Sequence, residues 1–219
     1  MHKPDSMSPA KKKQYVEERL KALGATSGPS EVLQRLVHNR ALFCVYLLID
    51  CSASMRGFKL AQAKAGSIHF AENAFRKGYA VGAISFSSDA RMVSEPVQDV
   101  NQLRQPIARL EVGGSTNLTR ALFFAREKLP VPVAGGTIVV ATDGEPDNPA
   151  SAVKMAQELR ANGIDIICIG TDNADQHFLE QIASRKELAV HVRKEQLASA
   201  ISDAAKQLSG GGTPDDRQD

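Results

Sequence analysis

The stretch "YLLIDCSASMRG" (46–57) ends an apolar run on an aspartate and then sets oxygen side chains at alternate positions, Asp50, Ser52 and Ser54. The run that it closes, "ALFCVYLLI" (41–49), is apolar almost throughout, as a strand covered on both faces must be. Similar runs follow: "YAVGAISF" (79–86), "GTIVVAT" (136–142), "IDIICIG" (164–170) and "LAVHV" (188–192). Between them the pattern turns helical at about 58–77, 117–129, 149–162, 175–185 and 194–208. Strands alternating with crossover-length helices predict a parallel sheet, because each crossover helix covers one of its faces. One run departs from this. "ARMVSEPV" (90–97) follows "SFSSD" with no room for a crossover, so it is expected to pair antiparallel, and Pro96 suits an edge strand. The expected fold is α/β and doubly wound: a mostly parallel six-stranded sheet with one antiparallel edge strand and helices on both faces.

A chain of 219 residues that is 42% hydrophobic and 24% charged is long enough for one sizeable core. Residues 1–40 carry eight Lys or Arg against four Asp or Glu, while 209–219 carry one against three. The body between them is balanced and offers no general field for nucleic acid or a membrane surface. Aromatic residues are 5% with no Trp, so base-stacking platforms are not expected. The organisation predicted is a basic helical extension over 1–40, a domain over 41–208 and a disordered tail over 209–219. No apolar leader or membrane-length segment is present in the sequence, and the three cysteines are an odd number. Cys44 and Cys168 lie in strand-like runs and read as buried small hydrophobes. The expected setting is cytoplasmic, and the chain is expected to be a monomer on its own.

In an open α/β sheet, functional groups gather beyond the carboxyl ends of the strands. Three loops rich in small oxygen side chains start there: "DCSASM" (50–55), "GGSTNL" (113–118) and "TDGEPDN" (142–148). Asp50, Ser52, Ser54, Thr116 and Asp143 are therefore the candidates to converge. His2, His38, His69, His177 and His191 are scattered and no CxxC occurs, so the expected ligand is a hard cation, Mg²⁺ or Mn²⁺ ahead of Ca²⁺. Two carboxylates formally balance a dication, and hydroxyls add donors without adding charge.

The order D-x-S-x-S at the first strand end, Thr in a GGxT loop, then TDG resembles the metal-ion-dependent adhesion site of von Willebrand factor A domains. The resemblance covers roughly 41–208. It implies a Rossmann-like fold and assigns Ser52, Ser54 and Thr116 as hydroxyl ligands of Mg²⁺, direct or through water, with Asp50 and Asp143 anchoring largely through water. Thr116 is preferred to Ser115 because the family pattern continues as in "TNL". It also implies a protein partner whose Asp or Glu completes the coordination. Intracellular bacterial proteins of this kind resemble partners of AAA+ ATPases, such as the MoxR and magnesium-chelatase groups, or of kinase and phosphatase systems associated with tellurium resistance.

Single residues have plainer explanations. Asp50 or Ser52 would cap a helix starting near Phe58, and Ser115 or Asn117 the helix that follows them. Asp147 or Asn148 marks a helix start before Pro149. Glu145 is expected at the rim, Arg56 in solvent and Cys51 packed inward. His69 and His191, in apolar patterns, are expected in the core. The competing activity is a Mg²⁺-dependent phosphatase of haloacid-dehalogenase type. Its chemistry needs an acid/base carboxylate two residues after the first aspartate, and Ser52 stands there. No G-x-S-x-G or phosphate-binding G-x-x-x-x-G-K-[ST] sequence occurs. A binding module, not an enzyme, is the expectation.

Overall fold

Continuous burial of a strand requires neighbours on both sides and a layer on each face, and every residue of β1 (Cys44–Asp50) is buried. The computed structural model describes residues 43–129 and 136–208. β1 lies at the centre of a six-stranded sheet with β2 (Ala80–Phe86), β3 (Ala90–Val97), β4 (Thr137–Thr142), β5 (Asp165–Thr171) and β6 (Ala189–Val192), in the order β3-β2-β1-β4-β5-β6. All neighbours are parallel except β2 and β3, which pair antiparallel at the edge. That pair has two register shifts, and one of them falls on the β3 stretch between Ser94 and Val97 that carries Pro96, where a proline removes a ladder donor at least cost.

The helices form two sets. α2 (Val100–Ala108) and α6 (Leu197–Ala204) both pack on α1 (Phe58–Arg76), with α1 and α6 in the most extensive contact. α3 (Leu118–Lys128), α4 (Pro149–Ala161) and α5 (Gln176–Ile182) pack in succession. The strand order reverses between β1 and β4, which makes the gap beyond their carboxyl ends the topological switch point, where such folds bind ligands.

Several expectations change. α2 is an additional helix that carries Pro106 inside it, and it buries Leu103 and Ile107 one turn apart. The last helix is shorter than 194–208, because its flanks at 194–196 and 205–207 tighten to 3₁₀ turns. His69 and His191 are exposed rather than in the core. The first points off the outer face of α1, and the second sits on the edge strand β6, which has a neighbour on one side only. Cys44, Cys51 and Cys168 are buried free thiols, as read. The expectations for 1–40 and 209–219 lie outside the described residues.

Candidate functional site

Asp50 is the last residue of β1 and is fully buried. Its two carboxylate oxygens are occupied separately. Oδ1 accepts the Ser52 backbone N–H at 2.7 Å, and Oδ2 accepts the Thr142 hydroxyl at 2.6 Å. Thr142 ends the neighbouring strand β4, so this bond ties the two carboxyl ends together across the switch point. Burial raises the pKa of Asp50, and the nearby Asp143 charge adds to that; the bonds from Thr142 and Ser52 oppose the rise without cancelling it.

Beyond Asp50 the chain does not enter α1 directly. It makes a 3₁₀ turn over Ala53–Met55, anchored by the fully buried Met55 side chain. The cap of α1 is Gly57, with φ of 77° and no side-chain hydrogen bond, so neither Asp50 nor Ser52 caps it. The turn is stitched to the neighbouring loops by backbone bonds. Cys51 N–H donates to Phe86 C=O at 2.7 Å, Gly113 N–H to Cys51 C=O at 2.8 Å and Ala53 N–H to Gly114 C=O at 3.1 Å. Gly114 has φ of 76°, and a Cβ there would lie 2.4 Å from Ser88 Oγ, so only glycine fits. The result is a row of oxygens. Ser52 Oγ is 2.9 Å from Ser54 Oγ, and Ser54 Oγ donates to Asp143 Oδ1 at 2.7 Å. Asp143 is buried at 2% exposure, whereas Ser54 faces solvent.

Four of the five candidates, Asp50, Ser52, Ser54 and Asp143, are thus linked by side-chain contacts or by one intervening backbone group. Thr116 stands on the adjacent loop, two residues before α3. Its N–H donates to Asp147 Oδ1 at 3.1 Å and its C=O accepts the Asp147 N–H at 2.9 Å, while Ser115 Oγ donates to Asp147 Oδ2 at 2.6 Å. Asp147 is therefore the clasp between the second and third loops. The helix starts go to Asn148, which caps α4, and Asn117, which caps α3. Arg56 and Glu145 are exposed.

The sequence reading missed two further groups. Lys59, in the first turn of α1, places its ammonium on Asp143 Oδ2 and lies 3.0 Å from Asp172 Oδ2. Burial pulls its pKa down, but the bonds to Asp143 and Asp172 outweigh that and leave it raised. Asp172, just past β5, adopts φ of 50°, the left-handed region that Asp and Asn tolerate best. No sequence signal marks this pair, since the two residues are remote in the chain and an ordinary helix carries lysines anyway. An open groove of about 520 Å³ adjoins Asp172, lined by His191, Arg193, Lys194 and Glu195, beside the oxygen row and not over it.

Among the described residues, no three His, Cys, Asp or Glu side chains cluster to hold a metal ion. The donors that do meet are hydroxyls and carboxylates, all hard oxygens. Adjacent oxygens around octahedral Mg²⁺ lie about 3.0 Å apart, from metal–oxygen distances of about 2.1 Å. The separations of 2.9 and 2.7 Å along Ser52, Ser54 and Asp143 are hydrogen-bond lengths close to that spacing, so an ion there would take the place of these bonds with little movement of the oxygens.

A family model for the von Willebrand factor type A domain matches residues 45–208. The chain belongs to that family. A mouse (Mus musculus) collagen alpha-5(VI) chain is 32% identical along an alignment 126 positions long that covers 51% of this chain and 5% of that one, so the likeness is to a small part of a far longer protein. Among solved structures, the domain of the type V pili tip protein Mfa5 from Porphyromonas gingivalis aligns with TM-score 0.69 at 16% identity, covering 79% of this chain and 98% of that one. Proximal thread matrix protein 1 from the mussel byssus aligns with TM-score 0.65 at 20% identity over 75% of this chain and 47% of its own. BatB from Bacteroides thetaiotaomicron gives TM-score 0.59 at 19% identity over 75% and 99%. At these identities the structures speak for the fold of this von Willebrand A domain, a family of protein–protein interaction modules. Among its described residues, no helix is long and apolar enough to cross a membrane.

Proposed function

We propose that this domain is a divalent-cation-dependent binding module whose site is Ser52, Ser54, Thr116, Asp50 and Asp143, and whose ligand is an Asp or Glu side chain of a protein partner. The observation that carries the reading is the oxygen row at the switch point, with Ser54 its exposed middle member between the buried Ser52 and Asp143. Bound there, Mg²⁺, or Mn²⁺ or Ca²⁺ in its place, supplies an electrophilic coordination position to an incoming carboxylate. The chain's own residues set the charge. Asp50 and Asp143 provide two negative charges, and the hydroxyls of Ser52, Ser54 and Thr116 provide donors that add none. Asp50 supports the loop from below through its backbone bond to Ser52, and the Asp147 clasp fixes the height of Thr116.

A phosphatase would require Asp50 as a nucleophile with a free oxygen. Both of its oxygens are engaged, and Ser52 provides no acid/base carboxylate beside it. Binding without catalysis is the reading these contacts support. The partner belongs to an intracellular assembly built around an AAA+ ATPase or a kinase/phosphatase pair, with the domain a cytoplasmic monomer and residues 1–40 an extension outside it.

The test is a pull-down with tagged wild type and Asp143→Ala, each in Mg²⁺ and in EDTA. A partner retained by wild type in Mg²⁺ alone supports the reading. Equal retention in all four conditions would move recognition away from the oxygen row.

A further inference from the structure

Lys59 is poorly placed for a helix residue. It occupies the first turn of α1, where the helix dipole and the free N–H groups repel a cation and where no acidic residue offsets it. Its side chain is 17% exposed, so most of it lies away from water. What holds it is a pair of carboxylates from two other loops, Asp143 after β4 and Asp172 after β5. Asp143 is thereby satisfied at both oxygens without any ion, Oδ1 by the Ser54 hydroxyl and Oδ2 by the ammonium.

We infer that Lys59 is an internal counter-cation that competes with the divalent ion for Asp143 and so sets the cation concentration at which the site fills. The inference rests on the proposed function and adds a regulator to it. A dication drawn to the Ser52–Ser54–Asp143 row meets a positive charge already bonded to the same carboxylate, so filling the site costs like-charge repulsion or displacement of the ammonium. Asp172 is the second place for that ammonium, 3.0 Å away, and holds Lys59 when Asp143 turns to the ion. The two residues therefore act in opposite directions: Lys59 weakens cation affinity, and Asp172 strengthens it by drawing the lysine aside. Plain through-space charge gives the same two signs, so the mark of competition is coupling: Asp172→Asn should lose most of its effect in the Lys59→Met background.

The experiment uses the full chain and Mn²⁺ alone as the probe, with free Mn²⁺ read by its electron paramagnetic resonance signal. Lys59→Met keeps the stem and removes the charge, and it is expected to lower the Mn²⁺ dissociation constant by about tenfold. Lys59→Arg keeps the charge and should stay near wild type. Asp172→Asn, safe at a left-handed φ, should weaken binding severalfold. Thermal unfolding in EDTA supplies a readout independent of the ion: Lys59→Met should be less stable than wild type there and lose that deficit in saturating Mn²⁺. If wild type binds Mn²⁺ and Asp143→Ala abolishes it, yet Lys59→Met binds no more tightly, this inference is wrong while the site reading stands. If neither wild type nor Lys59→Met takes up Mn²⁺, both fall together.

Discussion

The Thr142 hydroxyl carries more of the site than its size suggests. Asp50 is a carboxylate taken fully out of water, and in the absence of an ion its second oxygen has Thr142 as its donor. Replacing Thr142 with valine keeps the shape and removes the donor, leaving one oxygen of a buried charge unsatisfied. The expected loss is about 1–3 kcal/mol of stability, read as a lower urea midpoint in EDTA. A midpoint unchanged from wild type would mean that Asp50 is already protonated or hydrated and needs no donor. The residues that sequence alone made visible here were those that stand in line: Asp50, Ser52 and Ser54 alternate along one loop, and Asp143 follows an apolar strand. Lys59, Thr142 and Asp172 became visible only once the loops were brought side by side, because each acts on a residue far from it in the chain, and Asp147, read from sequence as a helix start, proved to be the clasp on the Thr116 loop. The histidines show the limit of pattern reading at this scale, since an apolar neighbourhood in sequence does not say which side of a helix or edge strand a residue takes.

Among the elements, the strands were the legible part. Both-sided burial forces apolar runs, and the short gap before β3 left only an antiparallel hairpin. α2 was not legible, because Pro106 reads as a breaker although the helix tolerates it, with Leu103 and Ile107 fixing the inner face. The packing of α1 against α6 was also beyond the sequence, and Gly66 is its key. A Cβ at Gly66 would lie 2.7 Å from the Ala198 carbonyl oxygen and 2.9 Å from both Ala198 Cα and Ile201 Cβ. Most of these neighbours are backbone and cannot swing aside. Gly66→Ala is expected to push α6 outward, and overpacking of ~1–3 kcal/mol outweighs the gain of up to ~1 kcal/mol in helix propensity. Gly113→Ala, where a Cβ meets open space, is the control and should change stability by less than ~0.5 kcal/mol. Equal urea midpoints for the two variants would show that the α1–α6 contact yields easily.

For the molecule as a whole, the sheet order decides where charge accumulates. Centring the sheet on β1 and β4 brings Asp50 and Asp143 to one edge, both buried, and among the described residues the cation paired there is the Lys59 ammonium, between Asp143 and Asp172. Such an edge is stable enough to fold and still short of positive charge, so a cation that binds the folded state alone must stabilise it by mass action. At a hundredfold excess over its dissociation constant the gain is about 2.7 kcal/mol. In a domain of this length each kcal/mol moves the midpoint by about 2–4 °C, so Mg²⁺ should raise Tm by roughly 5–10 °C over EDTA. Asp143→Ala should remove the shift, because it takes one of the two charges and the partner of Ser54 together. Differential scanning fluorimetry of both proteins against Mg²⁺ concentration reads the effect directly. A wild-type Tm that stays flat from micromolar to millimolar Mg²⁺ would mean that Lys59 alone balances the edge and that the oxygen row is a structural lock between loops.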